Sequence, residues 1–354
     1  MDAGFSPSPQ ASADAGLAAK VAALRSSQAY DERPRCIDAI ETHFAWVFLT
    51  DEFAFKLKKP MRAEFLELAT LADRRFNCTE EVRLNRRLAP DVYLGVVPLQ
   101  RRADGSLHVG GDGAVVDWLV KMRRLPAACM LDTAIASGTV NCAALVSVGR
   151  MLARFYQAQQ RMEFAPSDYL ARIGCQIQVD RSALLAPDLN IAPSLVESVA
   201  AAQFTAHAAL APELRLRAQQ RRIVEAHGDL RPEHIGLSDP PCVIDSLEFS
   251  QDLRTLDPGE ELAFLWMECV RLGAGWVGTT LLDAYRSESG DPITPALLDF
   301  YRSRRAAVRA KLVAWHLRDP AVNCLADWSK QAREYLELAR SYALAAVGRA
   351  GQCH

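Results

Sequence analysis

Two acids in the segment Ile223–Leu262 offer the most specific chemistry in this sequence. His227-Gly228-Asp229 follows a short apolar run, Ile223 to Ala226, and Asp245 ends a second one, Cys242-Val243-Ile244. Between them, His234-Ile235-Gly236-Leu237 and Ser238-Asp239-Pro240-Pro241 read as one arm and the tip of a hairpin. A hairpin folds the two carboxylates toward one place. Such a pair suits metal-assisted phosphoryl transfer: one acid orients an attacking hydroxyl or takes its proton, and the other holds the magnesium that bridges nucleotide phosphates. Alone, His-Gly-Asp is also an ordinary strand-to-loop turn, and Asp245 a cap on a surface loop. The second acid after a hairpin-length gap weighs for chemistry. So does the run Arg254, Asp257, Glu261 that leads into an apolar helix.

HGDLRPEHI followed by VIDSLEF resembles the catalytic and metal-binding loops of the aminoglycoside-phosphotransferase-like kinases, a branch of the protein-kinase-like fold. More narrowly, the chain resembles an uncharacterised bacterial branch of these kinases whose longer members carry an added P-loop kinase domain. The resemblance extends beyond the N-terminal tail over nearly the whole chain, and its specific parts are FAFKLKKP, EEVRLNRRLAP, HGDLRPEHI and IDSLEF. It implies an α+β, bilobal protein-kinase-like fold. A disordered tail would occupy 1–14, an N-lobe of antiparallel sheet and one helix 15–124, and a mainly helical C-lobe with the catalytic and metal loops 125–354. It further implies Asp229 as the base acting on an acceptor hydroxyl and Asp245 as the magnesium ligand. His227, Arg254, Asp257 and Glu261 would brace the loop through charge-assisted hydrogen bonds. The donor is expected to be ATP (or GTP) with Mg2+, and the acceptor a small molecule.

These groups need elements to hold them. Ala45–Leu49, the turn Thr50-Asp51-Glu52 and Phe53–Lys58 read as a hairpin. Period-two alternation sets Phe53, Phe55 and Leu57 on one face and Ala54, Lys56 and Lys58 on the other. A lysine on a rigid strand neutralises phosphate oxygens, although a basic edge strand guarded against aggregation has the same pattern. The resemblance selects Lys56, with Lys58 second. Leu66–Leu88 reads mainly as helix, with Asn77-Cys78-Thr79 as a break or cap. On it, Glu81, or Glu80 behind it, would pair with the strand lysine as in kinase-like folds; the alternative is a solvated face paired with Arg83 or Arg87. The loop Glu41-Thr42-His43-Phe44 stands where such kinases cover the phosphates, but it has no glycine and offers only backbone amides and the Thr42 hydroxyl. Val92–Leu99, Leu107–Val109 and Val115–Met122 read as strands. Main-chain groups of Met122, Arg123 and Leu125 stand where such kinases meet the purine.

The chain has 354 residues, half of them hydrophobic, which is enough for two lobes. A net charge of −2 gives no bulk attraction to nucleic acid. Nine scattered cysteines without a CxxC pair read as reduced thiols in a cytoplasmic protein. The apolar stretch Leu262–Trp276 contains Glu268 and Arg271, so it reads as a buried helix rather than a membrane span. No GxxxxGK[ST] sequence occurs, so Walker-type phosphate binding is not expected. Ala296–Leu317 is a markedly basic helix through Arg305, Arg309 and Lys311. It reads as a solvated face or as the wall of a pocket for an acidic acceptor. His234 stands where kinase-like folds usually carry a metal-binding asparagine. Imidazole suits magnesium poorly, which leaves a structural hydrogen bond, a softer metal such as manganese, or an inactive kinase. The rival function is accordingly a nucleotide-binding pseudokinase acting as regulator or scaffold. A metal hydrolase is disfavoured because the acids lack histidine ligands at metal spacing.

Overall fold

The described residues of the computed structural model, 16–63, 66–315 and 327–352, fall into two units. Met1–Cys129 groups with Cys242–Gln251, and Met130–Pro241 groups with Asp252–His354. The expected tail, 1–14, lies outside the described residues. The segment that carries Asp245 therefore packs with the first unit.

In the first unit, helix α1 (Leu17–Leu24) precedes the strands β1 (Asp38–Glu41), β2 (Ala45–Leu49) and β3 (Phe53–Lys58). A small ribbon, β4 (Arg62–Ala63) with β5 (Leu66–Glu67), leads to helix α2 (Leu71–Asn85), and β6 (Tyr93–Arg101), β7 (Leu107–Val109) and β8 (Ala114–Arg123) complete the strands. The main sheet is antiparallel with order β1-β2-β3-β8-β6-β7. The alternation expected in β3 holds. Phe55 and Leu57 are buried with Leu24, Tyr30, Leu99 and Leu119 on one face, and Ala54 is buried with Cys78, Val82 and Val120 on the other. Lys56 and Lys58 share that second face, where α2 packs.

Helix α2 corrects one expectation. It starts at Leu71, behind a capping box in which Thr70 accepts from the Asp73 amide and Asp73 accepts from the Thr70 amide. It then runs unbroken through Asn77-Cys78-Thr79. Cys78 and Asn77 are buried against the sheet, so packing overrides the weak helix preference of this triplet.

The second unit is helical: α3 (Leu131–Ser137), α4 (Cys142–Ala158), α5 (Pro166–Leu184), α6 (Pro193–Ala209) and α7 (Ala211–Gln219) precede the His-Gly-Asp segment. After it come the single turn α8 (Gln251–Arg254), α9 (Pro258–Arg271), α10 (Gly275–Ser289), α11 (Pro295–Trp315) and α12 (Trp328–Ala350). Buried alanines, among them Ala306, Ala310, Ala332 and Ala339, let α11 and α12 approach closely. The solvated-face reading of α11 is overturned. Arg302, Arg304 and Arg305 are buried, and acids of the same unit take up the charge. Arg304 and Arg305 meet Glu260, Arg309 meets Glu268 and Lys311 meets Asp180. A buried helix carries this many cations because α9 and α5 bring carboxylates to them. Among the described residues no helix is long and apolar enough to cross a membrane.

Candidate active site

The first unit gathers Lys56, Glu81 and Asp245. The Lys56 Nζ donates to Glu81 Oε1 at 2.9 Å and to Asp245 Oδ1 at 2.9 Å. Burial alone would lower the Lys56 pKa, but the carboxylates of Asp245 and Glu81 outweigh it and hold the value well above the ordinary lysine range. Glu81 is fully buried. Burial pushes its carboxyl upward, yet Lys56 and Lys58 together bring it below its ordinary 4.5. Lys58 differs from Lys56. It is buried, it pairs with the other oxygen of Glu81, and it also pairs with Glu248. Glu80 lies on the outer side, paired with Arg83.

The loop that carries Asp245 is fastened to the end of α2 and the residues after it. The Ser246 amide donates to Asn85 Oδ1 at 2.8 Å, while the Asn85 side chain donates to the Glu81 carbonyl at 2.9 Å. The Val243 amide donates to the Leu88 carbonyl, and Arg87 reaches Ser246 Oγ. The Asp245 amide donates to the Tyr93 hydroxyl at 3.0 Å. Asp245 has φ of 62°, and its side chain is 45% exposed, the most open of the charged groups here. Among the described residues no cluster of three or more ligating side chains stands ready for a metal. One open carboxylate on a fixed backbone still fits magnesium, which usually keeps several waters and takes one or two carboxylates together with substrate phosphates.

The second unit holds the His-Gly-Asp turn. Val224–Glu225 pairs antiparallel with Thr255–Leu256, and the Ala226 amide donates to the Arg254 carbonyl at 2.8 Å. Arg254 also pairs with Glu225 at 2.7 Å. Gly228 has φ of 95°, a backbone that favours glycine, and this turns the chain out of the strand. The buried Glu261 carboxylate clamps the turn. It accepts from the His227 amide at 3.1 Å, from the Gly228 amide and from the Tyr156 hydroxyl at 2.8 Å. His227 is fully buried, and its Nδ1 accepts from the Asp229 amide at 3.3 Å.

Both ring nitrogens of His234 are engaged within the same loop. Nδ1 lies 2.8 Å from the Asp229 carbonyl, which only accepts, so Nδ1 carries the proton. Nε2 then accepts from Arg231 at 3.3 Å. A metal on Nε2 would have to displace a guanidinium. Arg231 also donates to Asp229 Oδ2 at 3.1 Å and pairs with Glu233 at 2.6 Å.

The other expected residues have contacts of their own. Thr42 closes its own turn, its hydroxyl donating to the Ala45 carbonyl and accepting from the Ala45 amide. The Arg123 amide donates to the Val92 carbonyl and the Arg124 amide to Glu52. Met122 is buried in the sheet between Ala54 and Tyr93, and Leu125 packs against the same core face. Asp257 caps α9 through the Gly259 amide and pairs with Arg217 rather than with the His-Gly-Asp turn. Sequence reading missed the pairing of Lys58 with Glu248 and the residues Asn85, Tyr93, Tyr156 and Arg231. Of these, Asn85 had a visible signal, lying one helical turn after Glu81.

No protein-family model matches the chain. It is 31% identical over 288 residues to uncharacterised proteins of Mycobacterium tuberculosis and Mycobacterium bovis, an alignment that takes in 78% of this chain and 54% of each relative. The chain thus spans about half the length of the curated relatives it matches. Among solved structures it is similar to a choline/ethanolamine kinase family protein from Mesorhizobium loti, with TM-score 0.52, 14% identity and coverage of 88% of this chain and 92% of that one. Lower likenesses reach an ethanolamine kinase of Plasmodium vivax, at TM-score 0.47, 10% identity and 86% and 81% coverage. An aminoglycoside-3'-phosphotransferase of type VIII follows at TM-score 0.41, 16% identity and 77% and 93% coverage. At such identities the likeness speaks to the fold, and the Mesorhizobium loti structure carries it. The chain has an α+β, kinase-like fold, similar to that of the choline/ethanolamine kinase family protein from Mesorhizobium loti.

Proposed function

We propose that the protein is an ATP-dependent phosphotransferase that moves the γ-phosphate to a hydroxyl of a small-molecule acceptor. The observation that carries this reading is Lys56 held at once by buried Glu81 and open Asp245. A strand lysine aimed by a helix glutamate is what phosphoryl transfer in kinase-like folds requires. On this reading Lys56 takes the α/β phosphates and Asp245 would hold magnesium, which would neutralise the negative charge that develops during transfer. Asp229 orients the acceptor hydroxyl and receives its proton. Glu261 keeps the Asp229 turn in place, and His234 serves as a hydrogen-bonding post for that turn rather than as a metal ligand. Main-chain groups at Met122–Leu125 meet the purine; the Arg123 and Arg124 amides are already engaged within the first unit. The reading carries with it a cytoplasmic setting, as the unpatterned cysteines suggest.

A second reading, a nucleotide-binding regulator without turnover, has its own support. The Thr42 hydroxyl is consumed by its own turn, and Arg231 holds the Asp229 carboxylate. Release of phosphate from ATP separates the two. Magnesium-dependent turnover that Asp229→Ala abolishes supports the phosphotransferase. Nucleotide binding with no turnover in the presence of a metabolite extract supports the regulator.

A further inference from the structure

Lys56 and Lys58 lie on the same face of β3, and both contact Glu81, one on each oxygen. Their other partners are Asp245 and Glu248, three residues apart in the metal loop. The five groups therefore form a closed ring of alternating charge, running Asp245, Lys56, Glu81, Lys58, Glu248 and back through the loop backbone. The ring is mostly buried. Side-chain exposure is 0% at Glu81, 1% at Lys58, 11% at Glu248 and 15% at Lys56, and rises to 45% only at Asp245. Three carboxylates face two ammonium groups, so one negative charge is in surplus, and the opening of the ring is at Asp245.

The two lysines cannot share one role. Lys56 is partly open and reaches the exposed acid. Lys58 is sealed between Glu81 and Glu248, with no exposed surface from which to reach a nucleotide. Its position has two consequences. It supplies Glu81 with a cation of its own, so Lys56 can turn from Asp245 toward phosphate without leaving a bare buried carboxylate. It also pins the loop at Glu248, while Tyr93 and Asn85 hold it at Asp245 and Ser246. Phe249, the next residue, packs on Phe44 of the turn between β1 and β2, with ring centroids 5.9 Å apart. The loop is thus fixed on both sides of the left-handed Asp245 backbone.

We propose that Lys58 is a positioning residue for the metal loop: by joining Glu248 to Glu81 it holds Asp245 in the conformation that takes a divalent cation, and it does not itself meet the nucleotide. This rests on the reading of Asp245 as a metal ligand. The test uses Lys58→Met, Glu248→Gln, the double variant and Lys58→Arg in the full chain, with two readouts. The first is hydrogen exchange of the Asp245–Phe249 segment without nucleotide; the second is ADP affinity with and without magnesium. Exchange in that segment should rise about tenfold or more in each single variant, because the loop loses an anchor. Affinity for MgADP should fall about tenfold while metal-free ADP affinity stays within about threefold, and the double variant should be no worse than the poorer single one. Lys58→Arg should restore most of the magnesium effect. If Lys58→Met fails to fold, Glu248→Gln carries the same expectations. Unchanged loop exchange, additive losses, or an equal fall in metal-free affinity would overturn the proposal. Wild-type protein that bound no MgADP would sink the phosphotransferase reading instead, and the exchange rates would still decide the role of Lys58.

Discussion

Asp245 combines a left-handed backbone with a carboxylate that is open to solvent. Aspartate and asparagine tolerate that region better than other side chains, which incur a cost of about 1 kcal/mol or more there. Asp245→Asn therefore keeps the backbone and removes only the charge. Calorimetry should show the magnesium dependence of nucleotide binding lost in this variant, with metal-free binding retained; an unchanged magnesium dependence would count against the metal role. Asp229 calls for the complementary outcome. Asp229→Ala should leave MgATP affinity nearly intact and reduce turnover by about 10²–10⁴-fold, the usual loss for a missing general base. His234 is a milder case. Asparagine can still donate to the Asp229 carbonyl, so His234→Asn should retain turnover within several-fold; a collapse to the level of Asp229→Ala would show that the imidazole itself is needed.

Among the elements, β3 and α2 were legible and the anchors around them were not. Alternation in FAFKLK put both lysines on the α2 face, and helical spacing put Glu81 inward. Neither pattern could tell which lysine was sealed, because that depends on Glu248, 190 residues away from Lys58 in sequence. The charged residues after the Asp245 loop show the same limit. Glu261 accepts from the amides of the His-Gly-Asp turn and Arg254 pairs with Glu225 just before it, whereas Asp257 joins a buried network with Arg217, Asp291 and Tyr301. That network makes a strong prediction. Arg217→Met would leave buried Asp257 without its cation and Asp291 with only the longer contact to Arg222 at 3.8 Å, and should destabilise the fold by about 3–5 kcal/mol, the usual cost of breaking a buried ion pair. Chemical denaturation measures this directly, and a loss under about 1 kcal/mol would mean the carboxylates find other partners or take up protons.

Acid should weaken buried ion pairs in both units. Glu81 and Asp291 are both pushed up by burial and pulled further down by their cations, ending below their ordinary 4.5 and 3.8. A carboxyl whose folded value is depressed contributes stability that is complete above its unfolded value and is lost as pH falls through the folded one. Melting temperature should therefore drop below about pH 4.5, and less steeply in Glu81→Gln than in wild type. Parallel curves would show that Glu81 is not held ionised. The same scale shows where sequence reading failed. The charges of α11 looked solvated because their partners, Glu260, Glu268 and Asp180, come from α9 and α5. Charge counting along one helix cannot see neighbours that only tertiary packing supplies. Kinase-like architecture was legible because its loops are short local strings.

The most direct measurement incubates the protein with γ-labelled ATP, magnesium and a cell metabolite extract, beside Asp229→Ala and Asp245→Asn. Transfer of label to a small molecule by the wild type alone is the predicted result. No labelled product from any of the three, with MgATP still bound by the wild type, would contradict the phosphotransferase and leave the protein a nucleotide-binding regulator.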